Sequence, residues 1–137
     1  MKILVTGANG FIGSTLCDRL LVNNIIIGVD IAAKSLNISA KIIWEEADIS
    51  DFNLVAAICE RHSPDVVIHC AGIAHQKIGV VDSNVYMRVN SEATENLAKV
   101  AAQYNPVVQF IFLSSVSVYG EGRERIEEEM LITGVNE

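Results

Sequence analysis

The sequence lacks any apolar run approaching the roughly 20 residues that cross a bilayer, although half of its 137 residues are apolar. This absence predicts no membrane-spanning segment, and the strand predicted at the start of the chain leads us to expect no signal peptide. Positive charge is also scarce, since ten Lys and Arg residues stand against 17 Asp and Glu, for a formal net charge of −7. Because no basic stripe is present, a nucleic-acid partner is not expected.

Cysteine is sparse, with three residues that lie in apolar segments: Cys17, Cys59 and Cys70. The odd number and the apolar setting predict buried, reduced thiols in a cytoplasmic protein. No metal-ligand spacing relates the cysteines to the three histidines, so no metal site is expected. A length of 137 residues leaves room for one domain with a hydrophobic core.

Short apolar runs alternate with amphipathic segments along most of the chain, which is typical of parallel strands buried on both faces. Alternating strands and helices predict a doubly wound α/β fold of the Rossmann type, with about five parallel strands in the order 3-2-1-4-5. The predicted strands are about 2–6, 25–30, 41–44, 65–71 and 107–114, and the predicted helices are about 11–22, 51–62 and 80–104.

The first predicted strand runs into a glycine-rich turn, Gly7-x-x-Gly10-x-x-Gly13, and an amphipathic helix follows. Gly7 can take the torsions of a tight turn, Gly10 leaves the backbone open to a phosphate, and Gly13 lets the helix lie close to the strand. Free N–H groups at the start of the helix favour an anion. We therefore expect this turn, with Phe11 and Ile12, to bind the pyrophosphate of a dinucleotide.

A second apolar run ends in Asp30, seventeen residues after Gly13. This is about the distance at which a βαβ unit places the carboxylate that binds the adenosine ribose hydroxyls. Because a carboxylate repels a 2′-phosphate, Asp30 favours NAD over NADP, although the nearby Lys34 could soften this preference. The alternative is an acidic residue that follows an ordinary glycine-rich turn by chance.

Asp48 and Ile49 follow the third predicted strand, at the edge of the sheet where an adenine would lie. The Asp48 carboxylate could accept a hydrogen bond from the exocyclic amine, and Ile49 could pack on the ring. The alternative for Asp48 is the N-cap of the next helix, a role for which Ser50 competes.

The fourth strand closes with Cys70-Ala71-Gly72, whose small residues would let the ribose and phosphates of the cofactor approach the backbone. His69, just before this segment, is better interpreted as a hydrogen-bonded structural histidine than as a catalyst. Asn90 is a further candidate near the cofactor, where a buried amide could bridge strand ends. Hydroxyls follow the fifth strand at the edge where ligands bind, and Ser115 is the best candidate to contact a substrate oxygen.

Together these residues resemble the extended branch of the short-chain dehydrogenase/reductase superfamily, and more narrowly its NAD-dependent epimerases and dehydratases of nucleotide sugars. The resemblance implies that Ser115 is catalytic and assists a Tyr-x-x-x-Lys pair. The tyrosinate of that pair takes a proton from the sugar hydroxyl while hydride moves to the nicotinamide. The matching motifs reach to about residue 120 and are Thr6-Gly7-x-x-Gly10-x-x-Gly13, Asp30, Asp48-Ile49, His69-Cys70-Ala71-Gly72, Val89-Asn90 and Ser114-Ser115-x-x-Val118-Tyr119-Gly120.

The chain departs from the family pattern because none of its three tyrosines has Lys four residues further on; those positions hold Asn90, Val108 and Arg123. Family spacing places the Tyr-x-x-x-Lys pair about twenty residues after Tyr119, just beyond Glu137. The resemblance thus implies an NAD(P)-binding domain over residues 1–120 and an acidic tail over 121–137 that leads toward an absent catalytic helix and substrate domain.

The expected substrate of the intact enzyme is a nucleotide sugar. This chain alone is expected to bind NAD without turnover and to self-associate, most simply as a homodimer. Two alternatives share the same residues: a non-catalytic module that senses a dinucleotide or serves as an interaction scaffold, and a reductase of a keto sugar or other small carbonyl.

Overall fold

The computed structural model describes residues 1–73, 82–119 and 127, and five strands in this part of the chain form one parallel sheet. The strand order is β3-β2-β1-β4-β5, which confirms the predicted Rossmann-type α/β architecture. The strands are β1 (Lys2–Thr6), β2 (Ile25–Asp30), β3 (Ile43–Glu46), β4 (Val66–His69) and β5 (Gln109–Phe112). The helices are α1 (Phe11–Leu20), α2 (Phe52–His62), α3 (Ser83–Tyr86) and α4 (Ala93–Tyr104), with a π-helical segment (Met87–Glu92) between α3 and α4 and a 3₁₀ turn (Val116–Tyr119) after β5.

The core has two layers because successive side chains of a strand point to opposite faces of the sheet. In β1, Leu4 packs on the face covered by α2 and α4, whereas Ile3 and Val5 pack on the face covered by α1. All three side chains are almost completely buried. Burial on both faces explains why the central strands are continuous apolar runs rather than alternating ones.

Several boundaries differ from the predicted ones. Strand β3 starts at Ile43, where it pairs with Ile27, and not at residue 41. The reason is Ile42, which is buried in the core and whose N–H bonds to the Ser39 carbonyl in a turn before the strand. Helix α1 ends at Leu20 and not at 22, and β4 and β5 are each four residues long.

The long helix predicted over 80–104 is not continuous. Residues 80–81 lie outside the described residues, and the remainder comprises α3, the π-helical segment and α4. In the π-helical segment the chain makes a wider turn, so that the N–H of Ala93 bonds to the Arg88 carbonyl five residues earlier.

The N-cap of α2 is Asp51, whose carboxylate accepts hydrogen bonds from the N–H groups of Asn53 (2.9 Å) and Leu54 (3.2 Å). The two residues weighed for this role in the sequence, Asp48 and Ser50, are therefore not the cap. Both lie before the point at which the helical turn begins, and an N-cap side chain reaches only the N–H groups two or three residues after it.

Gly13 is the point of closest contact between α1 and the preceding turn. A Cβ atom built on Gly13 would lie 2.1 Å from the carbonyl oxygen of Gly7 and 2.8 Å from its carbonyl carbon. Since both atoms belong to the backbone, the contact cannot be relieved by a side-chain rotation. The helix can approach the turn this closely only without a side chain at residue 13.

We expect Gly13→Ala to lower the free energy of unfolding by at least about 2 kcal/mol. Alanine is the better helix former by about 1 kcal/mol, but the clash with the Gly7 carbonyl outweighs that gain. Chemical denaturation followed by circular dichroism measures the change. Ser14→Ala, one residue further along the same helix, is the control and is expected to stay within about 0.5 kcal/mol of the unsubstituted chain. A Gly13→Ala protein as stable as this control would contradict the steric argument.

Candidate functional site

Two glycines of the turn between β1 and α1, Gly7 and Gly10, present only backbone to the cleft. Gly7 has φ +66°, in the left-handed region that glycine tolerates, and the N–H of Gly10 bonds to the Gly7 carbonyl at 2.9 Å. Gly10 is the N-cap of α1 and supplies no side-chain hydrogen bond. The N–H groups in the first turn of α1 therefore have no side-chain cap, which is the arrangement that suits a phosphate.

The end of β4 lies directly against this turn. A Cβ atom on Gly7 would lie 2.8 Å from the amide nitrogen of Ala71 and 2.9 Å from its Cα. The same carboxyl edge of the sheet carries the ends of β1, β2 and β4, which is where open α/β folds bind ligands.

A cleft of about 630 Å³ opens at this edge, a size within the usual range for small-molecule sites. Eight of the predicted cofactor residues line it: Gly7, Gly10, Asp30, Asp48, Ile49, Cys70, Ala71 and Gly72. Five predicted site residues are not part of this lining: Phe11, Ile12, Gly13, Asn90 and Ser115.

Four of these five residues lie in the first turn of α1 or after β5, and Asn90 is described below. Phe11 and Ile12 are 92% and 50% exposed on the first turn of α1, because that turn offers its N–H groups and not its side chains to the cleft. Gly13 is buried behind the turn. Ser115 is exposed after β5, and its carbonyl accepts the N–H of Val118 at the start of the 3₁₀ turn.

Seven further residues line the cleft that the sequence did not single out as contacts: Asn9, Ile31, Ala47, Ile73, Val85, Arg88 and Val89. Asn9 lies between two glycines of the motif, so its position alone could have flagged it. Val85 and Val89 are four residues apart on one side of a helix, the spacing that places side chains on a common face. Nothing in the sequence marks Arg88.

Asp30 is the last residue of β2, and each of its carboxylate oxygens accepts a hydrogen bond from a backbone N–H group. Oδ2 accepts the N–H of Asn9 at 2.9 Å, and Oδ1 accepts the N–H of Ala32 at 3.1 Å. Each carboxylate oxygen can accept a further hydrogen bond, so Asp30 is oriented and still able to accept from two hydroxyls. Lys34 is the nearby cation that could soften the preference for NAD over NADP. Its ammonium donates to the Ile42 carbonyl at 2.8 Å.

Asp48 and Ile49 both line the cleft, but each also makes contacts within the protein. Oδ1 of Asp48 accepts the N–H and the hydroxyl of Ser50, each at 2.8 Å, which orients the carboxylate in a local turn. Ile49 is 7% exposed and belongs to the core beneath α2, so only a small part of its side chain is available to a ligand.

His69 is completely buried and hydrogen-bonded on both ring nitrogens, as expected of a structural histidine. The Thr94 hydroxyl donates to the Asn90 carbonyl, so it accepts from Nε2–H of His69 at 2.9 Å. Nδ1 then accepts from the Thr6 hydroxyl at 2.6 Å, and Thr6 in turn accepts the N–H of Ala71. This polarity identifies the neutral Nε2–H tautomer, and burial lowers the pKa of His69 to about 4.

Asn90 holds the segment after β4 from the other side. Its side-chain oxygen accepts the N–H of Ile73 at 2.8 Å and its amide nitrogen donates to the Ile73 carbonyl at 2.9 Å. The sequence predicted a buried amide that bridges strand ends, whereas the Asn90 amide is exposed and bonds a single residue after one strand, β4. Both polar groups of the Asn90 amide bond the backbone of Ile73, which positions one wall of the cleft.

All three cysteines are free thiols. Burial raises the pKa of Cys17 and of Cys59 to about 11, and burial also raises the pKa of Cys70. Cys70 differs from the prediction in being half-buried, because it lines the cleft at the end of β4.

Within the described residues, no group of three or more His, Cys, Asp or Glu side chains is arranged to hold a metal ion. In the same part of the chain, no helix has both the length and the apolar character needed to cross a membrane.

A parallel sheet in this order, with a glycine-rich turn and an oriented carboxylate at its carboxyl edge, defines a Rossmann-type α/β domain. A sequence model of the NAD dependent epimerase/dehydratase family matches residues 3–135. The chain belongs to that family.

Curated relatives include two enzymes of nucleotide-sugar metabolism. The chain is 31% identical over 140 residues to the dTDP-glucose 4,6-dehydratase of Haemophilus influenzae, with 88% of this chain and 41% of the dehydratase covered. It is 35% identical over 130 residues to the UDP-glucose 4-epimerase of Vibrio cholerae, with 88% of this chain and 37% of the epimerase covered. The chain thus spans about two fifths of the length of these relatives.

Solved structures agree with the sequence relatives. The UDP-glucose 4-epimerase of Thermus thermophilus, a complex with NAD, superposes with a TM-score of 0.84 at 32% identity, covering 93% of this chain and 43% of that one. The UDP-glucose 4-epimerase of Thermotoga maritima, solved with UDP-glucose, gives a TM-score of 0.81 at 32% identity, covering 91% and 41%.

The neutral state of His69 leads to an expected pH dependence of stability. The unfolded chain takes up a proton on this histidine below about pH 6.5, whereas the folded chain does so only near pH 4. Stability is therefore lost as the pH falls between these values, by up to about 3 kcal/mol. Urea denaturation at pH 7, 6 and 5 measures the slope.

His69→Gln keeps a neutral donor and acceptor but removes the titrating group, so its stability is expected to vary less over this pH range. His62→Gln, which changes a half-buried histidine bonded to Glu45, is the control and retains the contribution of His69. An equal slope in His69→Gln and the unsubstituted chain would refute the assignment.

Proposed function

We propose that this chain is the NAD-binding part of a nucleotide-sugar epimerase or dehydratase, and that by itself it binds NAD(H) without turnover. The observation that carries the proposal is the Asp30 carboxylate, which two backbone N–H groups orient beside Gly7 and Gly10 of the glycine-rich turn. The relatives' names and family membership support this choice of cofactor and substrate class.

The residues present fit a dinucleotide. Asp30 would accept hydrogen bonds from the adenosine ribose hydroxyls, and Asp48 with Ile49 would border the adenine. The turn at Gly7 and Gly10 would hold the pyrophosphate through backbone N–H groups and the start of α1. Ala71 and Gly72 would let the rest of the cofactor pass close to the backbone after β4. Bound NAD would supply a hydride acceptor for a sugar carbon.

The remaining roles belong to the proposed intact enzyme. Ser115 would bind a substrate oxygen and assist a Tyr-x-x-x-Lys pair, which this sequence does not contain. Residues 1–120 would form the NAD(P)-binding domain, and 121–137 would lead toward the catalytic helix and substrate domain. Free thiols support a cytoplasmic location. NAD is preferred over NADP because Asp30 would repel a 2′-phosphate.

A second candidate is a module that binds a dinucleotide in the same cleft as a sensor, without catalysis. A keto-sugar reductase shares the same described residues. Reading the coding sequence past the codon for Glu137 separates an enzyme of either kind from the sensing module. A Tyr-x-x-x-Lys pair within the next ten or so codons supports the enzyme, and an immediate stop codon supports the module.

Self-association is a further part of the proposal. Among the residues that the structure describes, strand β5 forms one edge of the sheet, and its Ile111 and Phe112 side chains are 47% and 49% exposed. Apolar surface of this kind tends to be covered by a partner. Homodimers or larger species are expected by light scattering at micromolar concentration, and a stable monomer would contradict this part of the proposal.

The central test is titration of NADH, followed by its fluorescence, with Asp30→Asn compared against the unsubstituted chain. We expect the substitution to weaken NADH binding about tenfold or more, because hydrogen bonds to a charged acceptor are among the stronger ones. Asp65→Asn is the matched control, since Asp65 lies at the opposite edge of the sheet and bonds the N–H of Lys2.

Two results would contradict the proposed function. One is the absence of NADH binding by the folded, unsubstituted chain. The other is measurable epimerisation of a UDP-sugar by this chain alone, because the proposal assigns the general base to residues outside it.

A further inference from the structure

Asn9, which lies between two glycines of the motif, makes hydrogen bonds with both its backbone and its side chain. Its backbone N–H donates to Oδ2 of Asp30. Its side chain reaches the loop between β2 and β3, residues 31–42, called here the β2–β3 loop. There Oδ1 accepts the N–H of Ser35 at 3.1 Å, and Nδ2 donates to the carbonyls of Ala33 at 3.0 Å and Ala32 at 3.4 Å.

These bonds bracket Lys34. The residues on either side of it are both bonded to the Asn9 amide, so the backbone at Lys34 cannot shift without breaking them. The Lys34 ammonium donates to the Ile42 carbonyl at the far end of the same loop. Ile38 and Ile42, 5% and 3% exposed, anchor that end in the core.

Lys34 is the cation nearest to Asp30 along the chain, four residues after it. A 2′-phosphate on the adenosine ribose would lie beside the Asp30 carboxylate and needs a nearby cation to offset the repulsion. While Asn9 holds the β2–β3 loop, the Lys34 ammonium stays bonded to the Ile42 carbonyl and does not reach the 2′-phosphate.

We propose that Asn9 is a positioning residue that sets the preference for NAD over NADP, by holding the β2–β3 loop so that Lys34 is kept away from the 2′-position. The inference rests on the proposed function, since it presupposes that the chain binds a dinucleotide. The Asp30 carboxylate repels the 2′-phosphate, and Asn9 prevents Lys34 from offsetting that repulsion.

The experiment measures the dissociation constants of NADH and NADPH by fluorescence at one fixed ionic strength, because cation–phosphate pairs are screened by salt. The quantity compared is the ratio of the NADPH constant to the NADH constant. Asn9→Ala is expected to lower this ratio by at least about fivefold, because the released loop lets Lys34 approach the phosphate. Asn9→Ser, which also cannot span to both Ala33 and Ser35, serves if Asn9→Ala does not fold.

Lys34 provides the decisive second change. Lys34→Ala alone is expected to leave the ratio unchanged, since the ammonium is held on Ile42. Combined with Asn9→Ala, it is expected to restore the ratio of the unsubstituted chain. Asn24→Ala is the matched control, because the Asn24 amide also bonds a backbone carbonyl, that of Leu20, but at the other end of α1.

The outcomes are distinguishable. If Asn9→Ala weakens NADH and NADPH equally, Asn9 is merely structural and the inference fails. If the lowered ratio persists in Asn9→Ala with Lys34→Ala, the effect does not pass through Lys34 and the inference also fails. If the folded, unsubstituted chain binds neither dinucleotide, the proposed function fails before Asn9 is tested.

Discussion

Direct backbone contact between three segments determines how this site is built. The Gly7 carbonyl lies against Gly13 at the start of α1, and Gly7 itself lies against Ala71 after β4. No side chain separates the turn, the helix and the end of the neighbouring strand. Steric repulsion at such distances rises steeply, so the three segments have little freedom to move apart or together independently. The floor of the cleft is therefore a rigid surface of peptide groups.

The wall of the cleft after β4 depends on a chain of hydrogen bonds with the buried His69 at its centre, rather than on packing alone. Hydrogen bonds run from the Ala71 N–H through Thr6, His69 and Thr94 to the Asn90 carbonyl, and the Asn90 side chain returns to Ile73. The segment after β4 is thus held at two points, two residues apart. Thr6 and His69, the buried members of this chain, are costly to rearrange, because breaking one of their bonds leaves a buried polar group unsatisfied.

The sequence predicted the features that local patterns determine. The apolar runs, the glycine spacing and Asp30 were sufficient for the strand order and for most of the cleft's floor, because each follows from short-range geometry. The partners of the Asn9 side chain lie 23 to 26 residues away along the chain, and they become visible only once β1 and β2 are paired. The start of β3 was misplaced because an isoleucine buried before a strand has the same appearance in sequence as one within it. Asp48, Ser50 and Asp51 are all suitable N-cap residues by type. Backbone torsions decide between them, and these make Asp51 the cap.

The π-helical segment gives the helix that borders the cleft one residue more than a regular turn would hold. Asn90 lies within it and Thr94 just after it, and the two face different partners, Ile73 and His69. Removing a single residue here would regularise the helix, yet it would rotate one of these side chains away from its partner. A deletion is therefore more damaging in this segment than most substitutions, and the irregular turn acts as a fixed spacing between the two anchoring points of the cleft wall.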